Sequence, residues 1–308
     1  MKNKPFVIFS LSILTTLVCQ SVFAKAPWQD HQVFAINKQA PRASGFSYQS
    51  LAGAMQDDPA QSDNYLLLNG MWQFHWQRSA INPPKGFEQP NFDDSSWGQI
   101  PVPGNWEVEG YGYPIYLDER FPFTTKWPDV PLEYNPTGSY RKPFTLSDSW
   151  QNKQVFLHVG AAKSSLDVWL NGEKVGFSQG AKTPAEFDIT EFVQQGDNLL
   201  ALRLRRWSDA SYLESQDMLR ISGIERDVYL YATPKQHIFD FHAKPRLNKR
   251  FDKGTLELEL DVKNYQKHKA QLTAKFELLD PKASYAVVTK ATKKIHGKRP
   301  WHRANQLF

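Results

Sequence analysis

The stretch SSLDVWLNGEKVGFS, residues 164–178, decides the fold. Two runs of alternating apolar and polar residues flank Asn171-Gly172. Alternation with a period of two turns one face of each run toward a core. Asn-Gly tolerates the positive φ angles that a two-residue type I′ turn needs. The stretch therefore predicts a β-hairpin.

The same grammar repeats on both sides. LLLNGMWQFHWQ (66–77) gives an Asn69-Gly70 turn and an alternating run, and QVFLHVGA (154–161), AEFDIT (185–190), NLLALRLRR (198–206) and RDVYLYA (226–232) follow. No segment sustains a 3.6-residue period. Many short strands separated by turn residues predict an all-β protein, with residues 64–234 forming a jelly-roll β-sandwich. Residues 25–63 are polar and irregular, with Pro27, Pro41 and Pro59, and predict an ordered surface arm with a short helix near 49–55.

Pro234 marks a boundary. HIFDFHAKPRLN (237–248), GTLELELDVKN (254–264), AQLTAKFELLD (270–280) and ASYAVVTKATKKI (283–295) read as four strands. They predict a partial immunoglobulin-like β-sandwich over 235–308, since such a fold needs about seven strands. The last stretch, GKRPWHRANQLF (297–308), carries no strand pattern. The expectation is a truncated second domain with an unpaired edge and half a core, and the loss of pattern favours a frameshifted end.

The N-terminus reads MKNKPFVIFSLSILTTLVCQSVFAKAPW (1–28). Lys2 and Lys4 precede an apolar run from Phe6 to Val18, and Val22-Phe23-Ala24 places small residues before a cleavage point. This predicts a signal peptide over 1–24, cut after Ala24, and an exported protein, periplasmic or secreted. The run is too short to span a bilayer. The single cysteine, Cys19, lies inside this segment after Val18, which argues against lipidation and leaves the mature chain without disulfides.

The formal net charge of +5 resembles a nucleic-acid signature only in sum. Residues 25–239 carry −6 and residues 240–308 carry +9. The tail lysines alternate with apolar residues, as in VVTKATKKI (287–295), which reads as the solvated face of strands rather than a phosphate groove. Neither nucleic acid nor, after signal cleavage, a membrane is an expected partner.

Nucleophile and metal motifs are absent: there is no G-x-S-x-G, no H-E-x-x-H, no P-loop and no G-x-G-x-x-G. The eight histidines are scattered, and His158 reads as a satisfied strand residue. Two stretches hold chemistry. WSDASYLESQDMLRISGIERDV (207–228) gathers Asp209, Glu214 and Asp217 among hydroxyls and aromatics. Such carboxylates can accept sugar hydroxyls, bind a hard cation, or act as a glycosidase pair. They can equally cap turns and pair with Arg203, Arg205, Arg206, Arg220 and Arg226. GNWEVEGYGYPIYLDERFPF (104–123) sets Glu107, Glu109, Asp118 and Glu119 in an aromatic-rich loop. It reads as a ligand-lining loop or a packed surface loop.

In order along the chain, LNGMWQFHW, VPGNWEVEGYGYPIY, YNPTGSY, LHVGAAKSSLDVWLNGEKVGFSQG, AEFDIT, LRLRRWSDASYLESQDMLRISGIERDV and DFHAKPRLN resemble the N-terminal part of large bacterial β-galactosidases of glycoside hydrolase family 2. The resemblance covers roughly 28–280. It implies a galactose-binding-like jelly roll and an immunoglobulin-like domain, followed in the family by a (β/α)₈ barrel that holds the retaining pair of glutamates, and then two further β-domains. No catalytic residue is therefore expected here. Aligned on Gln216-Asp217-Met218, Asp217 resembles the family aspartate that binds sodium and the galactose 6-hydroxyl. Asp118, in IYLDERFP, resembles a second residue near the galactose. Magnesium is implied only for the full-length enzyme, and the N-terminal arm resembles arms that hold subunits together in oligomeric members.

The expected function is that of a retaining β-galactosidase acting on terminal β-D-galactosides, represented here by its sugar-binding region and inactive alone. The alternatives are a stand-alone secreted carbohydrate-binding sandwich and a fragment that complements a separately encoded remainder.

Overall fold

The computed structural model describes residues 25–297 and 301–307. The signal peptide expected over 1–24, with Cys19, lies outside the described residues. No helix among them is long and apolar enough to cross a membrane.

Two antiparallel sheets face each other. The larger runs in the order Ala35–Ile36, Glu173–Ser178, Ser165–Leu170, Gly196–Arg205, Thr137–Leu146, Gly70–Gln77, Gly98–Val102. The smaller runs Ala185–Asp188, Gln154–Val159, Val228–Thr233, Tyr65–Leu67. The hairpin at 164–178 forms as its pattern demands. Asn171 and Gly172 take φ of 53° and 91°, and the strands pair Leu170 with Glu173. Alternation then sends Leu166, Val168 and Leu170 inward. They meet Trp72, Phe74, Ile100, Leu200 and Leu202 from their own sheet, and Leu157, Val159, Phe187 and Leu230 from the other, in one continuous core. Each such buried side chain contributes about 1.5–3 kcal/mol relative to exposure.

The arm closes the open side of this sandwich. Ala35–Ile36 adds to the edge of the larger sheet beside Phe177 and Ser178. Lys38 then bridges to Phe187, on the edge of the smaller sheet. Arg42 follows with a bidentate pair to Glu186, Nε to Oε2 and Nη2 to Oε1, both at 2.8 Å. His158 Nδ1 lies 2.9 Å from the same Oε1, and the Tyr231 hydroxyl donates to Oε2 at 3.2 Å. His158 is thus a satisfied strand residue, stacked on Tyr229 at 4.3 Å. The short helix expected near 49–55 is Leu51–Gln56, its first turn capped by the Ser50 hydroxyl accepting from Gly53 N.

Beyond Thr233 the strands form two separate small sheets. Gln236–Leu247, Gly254–Asn264 and Trp301–Leu307 make one, and Ala270–Asp280 with Ala286–Gly297 the other. The four expected strands are present, but the expectation that 297–308 holds no strand is corrected: Trp301–Leu307 pairs antiparallel with Glu257–Lys263. An edge strand presents unpaired backbone groups that accept any extended segment, whatever its side-chain alternation. The unit buries few apolar side chains, among them Phe239, Leu260, Val262 and Ile295, while Leu247 and Val288 stay exposed. The arm ties it to the sandwich: Ala43 N donates to Asp240 Oδ1 at 2.7 Å, and Lys263 Nζ donates to Gln39 Oε1 at 2.6 Å.

Burial alone would push the Glu186 carboxyl up. Hydrogen bonds from His158 and Arg42, with their charges, overcome it and hold its pKa down at about 2, against an ordinary 4.5. A depressed carboxylate contributes stability that is present above its unfolded pKa and lost as pH falls through its folded one. Acid titration should therefore remove about 3 kcal/mol between pH 4.5 and 2. Glu186→Gln should flatten that part of the urea-denaturation profile; an unchanged acid limb would show that the network contributes nothing.

Candidate functional site

The two carboxylate-bearing stretches, far apart in sequence, meet in space. Gly104–Asn105 pairs with Gly223–Ile224, which pairs on its other side with Ala162–Lys163. Trp106 N donates to Ser222 O at 2.9 Å, and Ile115 and Arg220 exchange backbone hydrogen bonds of 3.3 and 2.7 Å. The approach requires glycine at 223. Its φ is +130°, and a Cβ there would stand 2.3 Å from Gly104 O.

An ion pair locks the seam. Arg206 Nη1 lies 3.3 Å from Glu107 Oε1, with both side chains 1% exposed. Glu107 Oε2 accepts from Ser222 N at 2.8 Å. Arg206 also donates to Tyr113 O at 3.1 Å and to Arg220 O at 2.7 Å. One guanidinium thus binds both stretches, the use for which its fixed fork of donors suits it.

The carboxylates sort by direction. Glu107, Asp209 and Glu214 serve the frame. Asp209 accepts from Gln179 Nε2 at 2.6 Å and Glu214 from Ala181 N at 2.7 Å. Burial pushes both above the ordinary carboxylate range, against those hydrogen bonds. The expected pairing of this patch with nearby arginines is not what holds it. Arg205 pairs with Asp167, Arg203 donates to Pro84 O, Arg226 to Lys182 O, and Arg220 to the Glu214 and Asp118 carbonyls. Beneath lies Lys163, buried, with its pKa lowered to about 8, first by burial and then by Lys182.

Asp118 and Asp217 face outward. Both are exposed. Tyr116 joins them: its hydroxyl donates to Asp217 Oδ1 at 2.6 Å. That bond, then the Asp217 charge and more weakly that of Asp118, raise the phenol above its ordinary pKa. Asp118 takes a left-handed φ of 56°, and its carbonyl accepts from Arg220 Nη2 at 3.2 Å. Ser215 Oγ donates to Glu119 O at 3.3 Å. The result is a rigid seam bearing two solvated carboxylates and a phenol. It can accept sugar hydroxyls or contribute oxygen to a hard cation. Among the described residues no three His, Cys, Asp or Glu cluster as metal ligands. Sequence reasoning missed Tyr116 and the Glu107–Arg206 pair, because neither partner signals the other at such separations.

Residues 66–234 match the family model for the sugar binding domain of glycosyl hydrolases family 2. This chain belongs to that family. It is 39% identical over 262 residues to a β-galactosidase of Priestia megaterium, covering 83% of this chain and 25% of that protein. It is 37% identical over 275 residues to a β-galactosidase of Halalkalibacterium halodurans, covering 87% and 26%. The chain thus spans about a quarter of the length of these relatives. Among solved structures, Bacteroides uniformis β-glucuronidase 2 covalently bound to cyclophellitol-6-carboxylate aziridine matches with a TM-score of 0.62 at 25% identity, over 79% of this chain and 27% of that one. The family fold is thereby the jelly-roll sandwich that carries the seam.

Breaking a buried pair by removing one partner leaves an uncompensated charge and costs about 3–5 kcal/mol. Arg206→Met should lower stability by that amount in urea denaturation. Gly223→Ala should also destabilise, since neither its φ nor the contact with Gly104 admits a Cβ. Wild-type midpoints in both variants would remove the seam from its structural role.

Proposed function

We propose that these residues form the galactoside-binding part of a β-galactosidase that cleaves terminal β-D-galactosides with retention. The observation that carries the reading is the exposed Asp217 carboxylate, braced by Tyr116 on a seam whose backbone is locked. The relatives named β-galactosidase, at 36–39% identity, support galactoside as the substrate class. Asp217 would accept the 6-hydroxyl of galactose, with Asp118 nearby. The carboxylates that break the bond would come from the remainder of such a polypeptide, and a full-length protein would form homo-oligomers. Export is part of the proposal, resting on the basic and apolar pattern of residues 1–24.

Sodium would sit at Asp217, which offers a single exposed carboxylate. An anionic oxygen on an exposed seam is the ligand type a hard monovalent cation takes, and it would offset the carboxylate as a sugar displaces water. Magnesium finds no ligand cluster among the described residues, and we assign it to the full-length enzyme.

The second reading, a binding sandwich without turnover, draws on the first sandwich's closed core. Calorimetry on residues 25–308 separates the two. We expect millimolar binding of galactose and lactose, weakened about tenfold by Asp217→Asn, a loss of about 1.4 kcal/mol, and weakened again when choline replaces sodium. We expect no hydrolysis of a chromogenic galactoside. Turnover that follows the protein and disappears in Asp217→Ala would overturn the need for further chain. Unchanged affinity in Asp217→Asn would overturn the site.

A further inference from the structure

Beside the seam, a column of aromatic rings rises from the core to the surface. Trp207, 3% exposed, meets Phe123 edge-on at 5.5 Å. Phe123 meets Tyr212, 5% exposed, at 5.6 Å and 89°. Tyr212 stacks under Trp127 at 3.8 Å and 28°. Phe121 braces both upper rings edge-on, at 5.9 Å from Trp127 and 5.1 Å from Tyr212. The column ends there: Trp127 is 62% exposed.

The top ring is fixed in place. The Tyr212 hydroxyl accepts from Lys126 N at 3.0 Å and donates to Asp129 O at 2.7 Å. These groups flank Trp127-Pro128, and Lys126 and Asp129 also bridge through their backbones. The turn is clasped over the ring it stacks on. One face of the indole is covered by Tyr212, so its exposure belongs to the other face and the edges. Such a ring loses little conformational entropy when a ligand settles on it. The same turn carries charge: Asp129, two residues after Trp127, forms an ion pair with Lys25 at 2.9 Å, both about half exposed.

A flat apolar face on a turn that also carries charged groups matches a pyranose ring, which has an apolar C–H face and hydroxyls around its rim. Galactopyranose gathers its C–H bonds at C3, C4 and C5 on one face. The family match describes residues 66–234 as a sugar binding domain, and Trp127 falls inside that range. The loop that carries Trp127 also carries Tyr116 and Asp118, and the turn that carries Tyr212 leads into Asp217. We propose that Trp127 is a saccharide-stacking platform that holds the C–H face of a galactopyranose ring. The choice of galactose rests on the function proposed above; the platform itself rests on the column.

The test uses saturation-transfer NMR and calorimetry with methyl β-D-galactopyranoside and lactose on residues 25–308. The variants are Trp127→Ala, Trp127→Phe and Asp217→Asn, each checked for an unchanged circular dichroism spectrum and melting curve. Trp127→Ala should weaken binding about tenfold, while Trp127→Phe, which keeps an aromatic face, should stay within about threefold of wild type. In wild type the sugar C3, C4 and C5 protons should receive the strongest saturation. If Asp217→Asn weakens binding and Trp127→Ala does not, the platform is overturned and the Asp217 site stands. If Trp127→Ala weakens it and Asp217→Asn does not, the platform stands and the Asp217 site falls. Absence of sugar binding, or self-association that disappears in Trp127→Ala, would make the indole a protein contact and overturn the platform.

Discussion

The candidate site depends on the Arg206 guanidinium. It is buried where two irregular stretches cross, and no strand ladder long enough to hold them runs there. The pairings of Gly104–Asn105, Gly223–Ile224 and Ala162–Lys163 are each two residues long. Short ladders of this kind do not fix loops of twenty residues. Arg206 supplies what they lack, with donors to Tyr113 O, Arg220 O and Glu107. Desolvating a guanidinium and a carboxylate is costly, and such a pair is weak evidence for stability as such. Its use here is positional: an apolar pair of equal volume would fill the space without fixing where the Tyr113 and Arg220 carbonyls point.

The sandwich was legible because its signals are local. Asn171-Gly172 and the alternation around it fix the hairpin and its inward face within a few residues, while a bulge between Lys174 and Gly176 shifts the register in a way the pattern does not signal. Leu199–Leu204 is legible for a different reason: it is a central strand covered on both faces, and its near-continuous apolar run matches a burial broken only at Arg203. The seam was legible only in part. Its carboxylates could be counted, and resemblance pointed to Asp217 and Asp118, but the letters do not say which acids turn inward. Asp209 and Glu214 lie within eight residues of Asp217 and look equivalent to it in composition. They differ because Gln179 and Ala181, some thirty residues upstream, meet the first two and not the third. The last strand was misread for the converse reason. Trp301–Leu307 pairs through backbone groups on the edge of Gly254–Asn264, and backbone pairing leaves no periodic mark in the side chains.

The arm shows how a polar, proline-bearing stretch can be ordered with only short elements of its own. It borrows the edges of both sheets, pairing Ala35–Ile36 with one and bridging Lys38 to the other. Arg42 then ends on Glu186, which His158 and Tyr231 already hold. Those partners lie within the sandwich and hold the carboxylate independently of the arm, so Arg42 meets an already positioned group. The same residues reach the second unit through Ala43 and Gln39. A change at Glu186 would thus be felt in two places: at the open side of the sandwich and at the joint beyond Thr233.

A binding face must satisfy two opposed demands. Its polar groups must stay solvated in the free state, or burial shifts them away from the charge they need, as it does for Asp209 and Glu214. They must also be held still, or ordering them on binding consumes the interaction. Asp217 meets both because its side chain is exposed while its surroundings are not free to move. Tyr116 braces one oxygen, Arg220 pins the carbonyls of Glu214 and Asp118 on either side, and Arg206 pins Arg220. Rigidity enters from below through buried arginines, and solvent reaches the carboxylate from above. That division explains why this surface carries so much buried charge: the inward arginines and acids build the frame, and the outward acids stay solvated, as the role proposed for them requires.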